Sequence, residues 1–341
     1  MSDNGGRTLG RAAGLVLLVG ILAASCAQSP AEETRPEIRV GFGGALDFGD
    51  LAGEIAHQQL EKQGYRVRVV TFASTEIAVD ALSRGEVDFA TGSTRSFWAA
   101  AARGAPVRAV VEHAANVFRL VIAGMRQDCA ALDGQRLALH AEGAVGTVLA
   151  RVYLADRCPD AHPEVLLVPV SANRLAALLS GSVAAAVLKL SDVSQVERLA
   201  PGRFTMVTDF GNAWDDLKTT LVHTNTNFAE SHPDQVRDYV RARVLANRQA
   251  ATDHDEVLRQ AKRVLGEGSD WTPEAREYAA LPAWHPDGGM TRAELDRTLR
   301  FMIDRSGIDQ TLTVDRVADL SVLEDVLREV RAVTPAAAAT D

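Results

Sequence analysis

The residues of this sequence that could do chemistry are mainly hydroxyl side chains and glycines in short runs after apolar segments. Hydroxyls and the free N–H groups of helix N-termini bind anions and polar groups, and glycine lets a ligand approach the backbone closely. Together with the apolar and charged residues beside them, the candidate ligand-binding residues are Gly44, Ala45, Leu46, Phe48, Ser74, Thr75, Gly92, Ser93, Thr94, Gly143, Gly146, Thr147, Ser171, Asn173 and Lys189. These residue types predict binding of a small molecule.

Many of these residues also have an ordinary structural interpretation. The serines and threonines could each cap a helix without touching a ligand, as could Asn173. The glycines could serve only as turn residues. The run from Gly143 to Thr147 is not a phosphate-binding loop, because no lysine follows Gly146. Both interpretations stay open here, since a helix cap can also contact a ligand.

Arrangements that would support catalysis are missing from the sequence. The histidines are dispersed and show no zinc-ligand spacing, and no Gly-x-Ser-x-Gly elbow occurs. Paired carboxylates such as Asp215 and Asp216 lie in a polar, loop-like context, which is typical of a solvated surface. We therefore predict that the protein is not an enzyme and has no catalytic residues, no metal site and no cofactor.

The first 26 residues have the features of an export signal. Two arginines precede an apolar run, 12–24, which is shorter than the roughly 20 residues that a membrane-spanning helix needs. Small residues directly precede Cys26. This run resembles the lipobox of bacterial lipoproteins, in which the cysteine becomes the acylated first residue of the mature chain. An ordinary signal peptide with an incidental cysteine is the alternative. We predict a lipoprotein signal peptide over 1–26, lipidation of Cys26 and a flexible tether over 27–36.

Cys129 and Cys158 remain as an even pair once Cys26 is acylated. Cys129 precedes a predicted strand at 136–140. Cys158 ends the predicted helix that follows, at 145–157. A crossover helix runs back antiparallel to its strand, so its end returns close to where the strand began. We predict a disulfide, worth about 3–4 kcal/mol in the chain-entropy model, with two buried thiols as the alternative.

The elements that must position these residues alternate between strands and helices. Apolar and alternating patterns predict strands at 38–43, 65–72, 87–90, 107–112, 118–124, 136–140, 165–170, 184–190 and 219–223. Helices are predicted at 50–64, 75–84, 96–103, 145–157 and 173–179, and a helical segment follows from residue 231. Alternation at this spacing predicts parallel strands in open α/β sheets.

Two lobes are predicted because the strand at 118–124 follows its predecessor without a helix, after which the pattern repeats. We expect lobe 1 at 37–118 and 225–334, lobe 2 at 119–224, and a disordered tail at 335–341. Open α/β sheets bind ligands at the carboxyl ends of their strands. The candidate residues follow strands of both lobes, so the predicted site lies in the cleft between them.

Composition limits the classes of partner. The chain has 36 Lys and Arg against 45 Asp and Glu, a net charge of −9. An acidic chain without a basic run argues against nucleic acid. Removing 26 residues from 341 leaves 315, enough for two lobes with real cores.

Several short motifs, taken together and in this order, resemble a known family. They lie at 41–43, 81–90, 103–107, 132–138 and 175–181. Over about residues 36–335 the chain is similar to ABC-transporter substrate-binding proteins of the nitrate/sulfonate/taurine and NMT1/THI5-like family, in lipoprotein form. The resemblance implies a type II periplasmic-binding-protein fold: an α/β protein with a ligand cleft between two lobes and a helical C-terminal segment. One departure is the second-lobe run from Gly181 to Ala185, which lacks the family's Asp, whereas Asp88 of the first lobe is present.

The resemblance implies an extracytoplasmic solute-binding protein that closes on its ligand by rotation about crossover strands near 118–124 and 221–225. The ligand would be a small organic molecule or oxyanion, either sulfonate-, taurine- or nitrate-like or a pyrimidine or thiamine precursor. An oxyanion would suit the hydroxyls and helix N-termini. A heteroaromatic would suit Phe48 and Phe97.

The implied partners are an ABC permease and its ATPase, with the membrane contacted through the lipid anchor only. We expect a monomer on the outer or periplasmic side of the cell membrane. Two alternatives stay open: an enzyme of the same fold, of the pyrimidine or menaquinone-precursor type, and a ligand-sensing lipoprotein.

Overall fold

The structure, a computed structural model, describes residues 36–333. The predicted signal peptide, the acylation site at Cys26, nearly all of the tether and the tail at 335–341 lie outside the described residues. Among the described residues, no helix is both long enough and apolar enough to span a membrane.

Ten strands form two sheets in the described part of the chain. The strands are β1 (Glu37–Phe42), β2 (Arg66–Thr71), β3 (Phe89–Ser93), β4 (Val107–Ala114), β5 (Phe118–Ala123), β6 (Arg136–Leu139), β7 (Glu164–Leu167), β8 (Ala185–Lys189), β9 (Phe204–Asp209) and β10 (Thr220–Asn225). The first sheet has the order β2-β1-β3-β10-β4 and the second β7-β6-β8-β5-β9. In each sheet the fourth strand pairs antiparallel with both neighbours and the other pairs are parallel, so the two sheets match position by position.

Fourteen helices, all within 36–333, flank these sheets. They are α1 (Leu51–Lys62), α2 (Thr75–Ser83), α3 (Thr94–Ala102), α4 (Val145–Arg157), α5 (Ser171–Leu179), α6 (Leu190–Leu199), α7 (Phe210–Ala213), α8 (Thr226–Ser231), α9 (Pro233–Thr252), α10 (His254–Leu265), α11 (Thr272–Ala280), α12 (Arg292–Ser306), α13 (Val314–Val317) and α14 (Ser321–Val333). Two 3-10 turns, Phe48–Asp50 and Cys129–Ala131, complete the set of elements. The predicted two-lobed α/β fold with a helical C-terminal segment is confirmed.

Four elements were not predicted from the sequence patterns: strand β9 and helices α6, α7 and α8. Strand β9 is an edge strand in which only Phe204 is buried, so it shows neither an apolar run nor a clear alternation. Helix α6 begins at Leu190, which the sequence assigned to the preceding strand. The second lobe therefore contains more regular secondary structure than its sequence patterns indicate.

The chain passes between the sheets twice. It leaves the first sheet after β4 through residues 115–117 and returns from β9 through residues 210–219. The segments predicted as hinges, 118–124 and 221–225, are strands β5 and β10 themselves, so the connections lie just before them. Strand β10 pairs with β3 and β4 along its whole length, which places the return to the first sheet before residue 220. The full lobe boundaries stay a prediction.

The cores explain why strand β8 of the second sheet is apolar along most of its length. Ala185 and Val187 of β8 face one hydrophobic cluster, whereas Ala186 and Leu188 face a second cluster on the opposite side of the sheet. Strands covered on both faces read as apolar runs without alternation. In the first lobe, α9 packs along α1, and the Tyr239 ring stacks on Phe89 with centroids 3.9 Å apart.

Two predicted structural features are present. A disulfide joins Cys129 to Cys158, with Cα atoms 5.1 Å apart, which ties the segment before β6 to the end of α4. The carboxylate of Asp88 accepts hydrogen bonds from the backbone N (2.7 Å) and Nε (3.1 Å) of Arg39. Its backbone carbonyl accepts from the Thr224 hydroxyl at 2.9 Å, so Asp88 connects β1 to β10. It does not line either cavity described below.

Candidate functional site

A cavity of about 300 Å³ lies between the two sheets and is lined by residues that follow strands of both. The first lobe contributes the loop after β1 and the end of β3. The second contributes the loops after β6 and β7 and the end of β8. This is the position at which an open α/β sheet binds ligands, and the volume is at the small end of the range for ligand pockets.

Nine of the fifteen predicted residues line this cavity. From the first lobe they are Gly44, Ala45, Leu46, Thr75, Gly92 and Ser93. From the second lobe they are Gly146, Ser171 and Lys189. The structure thus brings together residues more than 140 positions apart, such as Gly44 and Lys189. Whether they contact a ligand stays a prediction.

The other six predicted residues are placed elsewhere, each for a local reason. Those in the first turns of α3 and α4, Thr94 and Thr147, are fully buried. Ser74 caps α2, where its Oγ accepts from the N of Ile77 at 3.5 Å. Asn173 lies on the exposed side of α5. Gly143 lies against the Arg95 guanidinium.

Aromatic residues considered for a heteroaromatic ligand also lie outside the cavity. Phe48 is fully buried, and its ring packs against Tyr278 and Trp284 with centroids 4.9 and 6.3 Å apart. Phe97 is fully buried and stacks on His223 at 4.0 Å. The aromatic ring that does line the cavity is that of Phe118, at the start of β5.

Five helices, α2 to α6, begin at the cavity wall. The residues at their starts that line the cavity are Thr75, Ser93, Ala144, Val170 and Lys189. The N-caps of α4 and α5, Ala144 and Val170, have no side-chain group that can accept a hydrogen bond. Free N–H groups and the positive ends of the helix dipoles therefore favour negative charge in this space.

Thr75 sets the shape of the first-lobe wall. A Cβ atom on Gly43 would lie 2.6 Å from the Thr75 Cα, and one on Gly92 would lie 2.7 Å from the Thr75 Cγ2. The Thr75 hydroxyl also accepts from the N of Ser93 at 3.4 Å. The two glycines are therefore needed for the start of α2 to approach β1 and β3 closely, in addition to any contact with a ligand.

Arg174, which the sequence analysis missed, is a buried cation in the second-lobe wall. Its Nε donates to the carbonyl of Val187 at 3.0 Å, and Nη1 donates to those of Val168 (2.7 Å) and Pro169 (3.0 Å). Its Nη2 donates to the Ser171 hydroxyl at 3.2 Å. Burial lowers the pKa of Arg174, but a guanidinium remains charged at neutral pH. The carbonyls fix its position without neutralising its charge.

Lys189 and Asp47 form an ion pair across the cleft, from the end of β8 to the loop after β1. Both residues line the cavity. Burial alone would lower the pKa of Lys189, but the carboxylates of Asp47, Asp50 and Asp192 outweigh it and raise that pKa above its usual value. Burial raises the pKa of Asp47, and the Lys189 ammonium opposes this rise. The Lys189 ammonium of the second lobe is thus paired with the Asp47 carboxylate of the first lobe.

His140 lines the cavity beside these charges and was also missed. Burial, together with the positive charges of Arg174 and Lys189, lowers the pKa of His140 to about 4. The ring is therefore neutral at physiological pH and offers one donor and one acceptor nitrogen. His140 ends the strand predicted at 136–140. The rule that ligands bind at the carboxyl ends of strands, which selected Lys189, could therefore have selected His140 as well.

A second contact joins the lobes at the cavity. The Oγ of Ser93 accepts a hydrogen bond from the N of Val145, the first residue of α4, at 3.1 Å. Farther out, Arg95 donates to the carbonyl of Gly143 at 3.4 Å. Ala144, the N-cap of α4, has no side-chain acceptor. Ser93 of the first lobe therefore supplies the acceptor for the N-terminus of α4.

A smaller cavity of about 60 Å³ adjoins the first and shares Asp47 and Lys189 with it. Its wall includes Asp50 and His113, whose Oδ1 and Nε2 atoms lie 2.7 Å apart. Burial lowers the pKa of His113. Burial alone would raise the pKa of Asp50, but the hydrogen bond from His113 outweighs it and lowers that pKa. Asp50 therefore stays negative beneath the site.

These features define a two-lobed α/β binding protein with its cavity between the lobes. The model of the NMT1/THI5-like family matches residues 59–256, more than half of the chain, and the chain belongs to this family. Among the described residues, no group of three or more His, Cys, Asp or Glu side chains could hold a metal ion.

Solved structures share this fold at low sequence identity. The periplasmic aliphatic sulphonate binding protein SsuA of Escherichia coli is similar with a TM-score of 0.63 at 15% identity, covering 86% of this chain and 99% of that one. The periplasmic nitrate-binding protein NrtA of Synechocystis PCC 6803 gives 0.64 at 14%, covering 88% and 90%. A zinc-bound ligand-binding component of an ABC-type import system from Staphylococcus aureus gives 0.71 at 12%, covering 85% and 99%.

A curated relative matches over a short stretch. Lipoprotein 28 of Escherichia coli O157:H7 is 35% identical over 78 residues, which is 23% of this chain and 28% of that protein. The match therefore covers less than a third of the length of this relative.

Proposed function

We propose that this protein is the extracytoplasmic solute-binding component of an ABC importer and that it captures a small anionic molecule, organic or oxyanionic, between its lobes. The observation that carries the proposal is that five helix N-termini, from both lobes, converge on one cavity together with the second-lobe cation Arg174. Partial positive charge from helix ends and a fixed guanidinium stabilise an anion without any proton transfer.

Membership of the NMT1/THI5-like family and the fold shared with sulphonate- and nitrate-binding proteins support this proposal. Phe48 and Phe97, which would have suited a heteroaromatic ligand, lie away from the cavity, whereas Phe118 lines it. A volume of about 300 Å³ limits the ligand to a small molecule.

Capture would proceed by rotation of one lobe relative to the other about the connections at 115–117 and 210–219. A ligand that contacts both lobes favours the closed arrangement by the difference between its affinities for the two states. The closed protein would then dock on a membrane permease, with transport driven by the permease's ATPase.

Binding is tested with the purified full chain and a panel of methanesulfonate, taurine, nitrate, a pyrimidine and small carboxylates. A ligand present at 100 times its dissociation constant stabilises the folded protein by about 2.7 kcal/mol, which a thermal-shift assay detects. We expect stabilisation by an anion of the panel. No stabilisation by any anion would contradict the proposal.

The role of Arg174 is tested by Arg174→Gln, with Arg151→Gln on the exposed side of α4 as the matched control. Loss of a charge-assisted contact in the cavity should weaken anion binding at least tenfold, whereas the control should leave it unchanged. Equal affinities of the wild-type protein and Arg174→Gln would remove Arg174 from the site.

We also propose that the protein is held at the membrane by lipid on Cys26. The sequence before this residue and the short match to a lipoprotein support it. The Cys26→Ser variant should lose the incorporation of labelled palmitate and move from the membrane fraction to the soluble fraction. Unchanged fractionation of the variant would argue for an ordinary signal peptide.

A further inference from the structure

Asp47 is a fixed carboxylate rather than a mobile one. Its Oδ1 accepts from the N of Gly49 at 2.8 Å, and its own N donates to the Oδ2 of Asp50 at 2.7 Å, which forms a capping box around the 3-10 turn Phe48–Asp50. Asp50 is held in turn by His113. The remaining oxygen of Asp47, Oδ2, meets the Lys189 ammonium.

The two charges that meet here come from opposite lobes and both line the cavity. With Asp47 in place, Lys189 already has a counter-ion. Arg174 is bonded to three carbonyls and one hydroxyl and has no carboxylate oxygen among its hydrogen-bond partners. Asp192, which accepts a hydrogen bond from Ser171, also lines the cavity and acts electrostatically on Arg174. The two cations of the cavity wall therefore face two carboxylates, and the positive charge left for a ligand comes from the N-termini of α4 and α5.

We propose that Asp47 determines ligand charge, so that the cavity accepts a singly charged anion and rejects a doubly charged one of the same shape. This inference rests on the proposed function, namely that an anion binds in this cavity. A second negative charge would share a small, poorly solvated space with the fixed Asp47 carboxylate, and Lys189 cannot neutralise both. Rejection by a fixed like charge is a common basis of specificity.

The test uses methanesulfonate and sulfate, which are both tetrahedral but differ by one unit of charge at neutral pH. Dissociation constants are measured by isothermal titration calorimetry on the full chain at constant ionic strength. Asp47→Asn is the main variant, because Asn can still accept the hydrogen bond from Gly49 and so keeps the cap. Asp80→Asn, on the exposed face of α2, controls for the change in net charge.

We expect the wild-type protein and Asp80→Asn to prefer methanesulfonate. Asp47→Asn removes the carboxylate that pairs directly with Lys189, so one more positive charge can meet the ligand, and it should raise the affinity for sulfate relative to methanesulfonate at least tenfold. Lys189→Met leaves the Asp47 charge unmatched and should shift the same ratio in the opposite direction. Because the two variants should shift this affinity ratio in opposite directions, either of them tests the proposal if the other folds poorly.

The outcomes separate the two proposals. If methanesulfonate binds and the sulfate-to-methanesulfonate ratio is the same in the wild-type protein and Asp47→Asn, charge selection by Asp47 is overturned and the proposed function stands. If neither anion, nor any other anion of the panel, binds the wild-type protein or Asp47→Asn, the anionic ligand is overturned and charge selection falls with it.

Discussion

The side-chain amide of Asn116 donates a hydrogen bond of 2.8 Å to the backbone carbonyl of Phe210. Asn116 belongs to the first connection between the sheets and Phe210 to the second, so this bond joins the two connections. The same amide lies 3.4 Å from the carbonyl of Trp214, and its oxygen accepts from the N of Phe118 at 3.3 Å. Gly211 allows this approach, since a Cβ there would lie 2.4 Å from the Asn116 carbonyl oxygen.

Asn116→Ala should lower the free energy of unfolding by about 1–3 kcal/mol, because it removes the hydrogen bonds that Asn116 donates to the Phe210 carbonyl and accepts from the N of Phe118. Urea unfolding followed by circular dichroism measures the change. Asn212→Ala, an exposed residue of α7, is the matched control and should lie within about 0.5 kcal/mol of the wild-type protein. Equal losses in the two variants would show that the bond contributes little.

Gly92→Ala should destabilise the first lobe by about 1–3 kcal/mol, because the new Cβ would overlap the Thr75 side chain. Replacing Thr75 by Ala in the same chain removes the Cγ2 and Oγ1 atoms that lie 2.7 and 2.8 Å from that Cβ, and should recover part of the loss. Gly268→Ala is the control, since no atom lies within 4 Å of its added Cβ. Full additivity of the Gly92 and Thr75 changes would contradict this packing.

Reduction of the disulfide should lower the free energy of unfolding by about 3–4 kcal/mol, because it releases a loop whose ends are 29 residues apart. The double variant Cys129→Ser/Cys158→Ser should show this loss in urea unfolding without reductant. Adding reductant should bring the wild-type protein to the stability of the variant. A wild-type protein that reductant leaves unchanged would show that the bond does not form in solution.

Much of the fold could be predicted because its signals are local. Strands buried on both faces, such as β8, appear as apolar runs, and each run followed by a helix implies a parallel crossover. Strand β9 could not be predicted, because an edge strand with a single buried residue has no apolar pattern. The approximate position of the site followed from the general rule for α/β sheets.

The particular residues of the site were harder to predict, because their orientation depends on contacts between distant segments. Phe48 follows β1 directly, as Leu46 does, yet it turns into the core formed with Tyr278 and Trp284 of the C-terminal part of the chain. Arg174 shows no signal in its own helix, because its cavity position is set by the carbonyls of Val168 and Val187. Asp47 had a local signal, its spacing from Asp50 before a helix, and the capping pattern could have revealed it.

His223 gives the protein a specific sensitivity to acid. It is fully buried on β10, and its ring stacks on Phe97. Burial lowers the pKa of His223 to about 3. The unfolded chain, with a pKa near 6.5, therefore binds this proton more readily than the folded chain, so the folded state loses stability as the pH falls from about 6.5 toward about 3.

His223→Phe keeps an aromatic ring at this position and removes the titratable group. Between pH 7.5 and pH 5.0, the wild-type protein should lose about 2 kcal/mol more unfolding free energy than the variant, by proton linkage at this one site. Urea unfolding at the two pH values measures that difference, in which the contributions of other groups, such as His140, cancel. His162→Phe, at an exposed position, should follow the wild-type protein. A His223→Phe curve parallel to that of the wild-type protein would mean that the imidazole reaches water or a proton acceptor in the folded state.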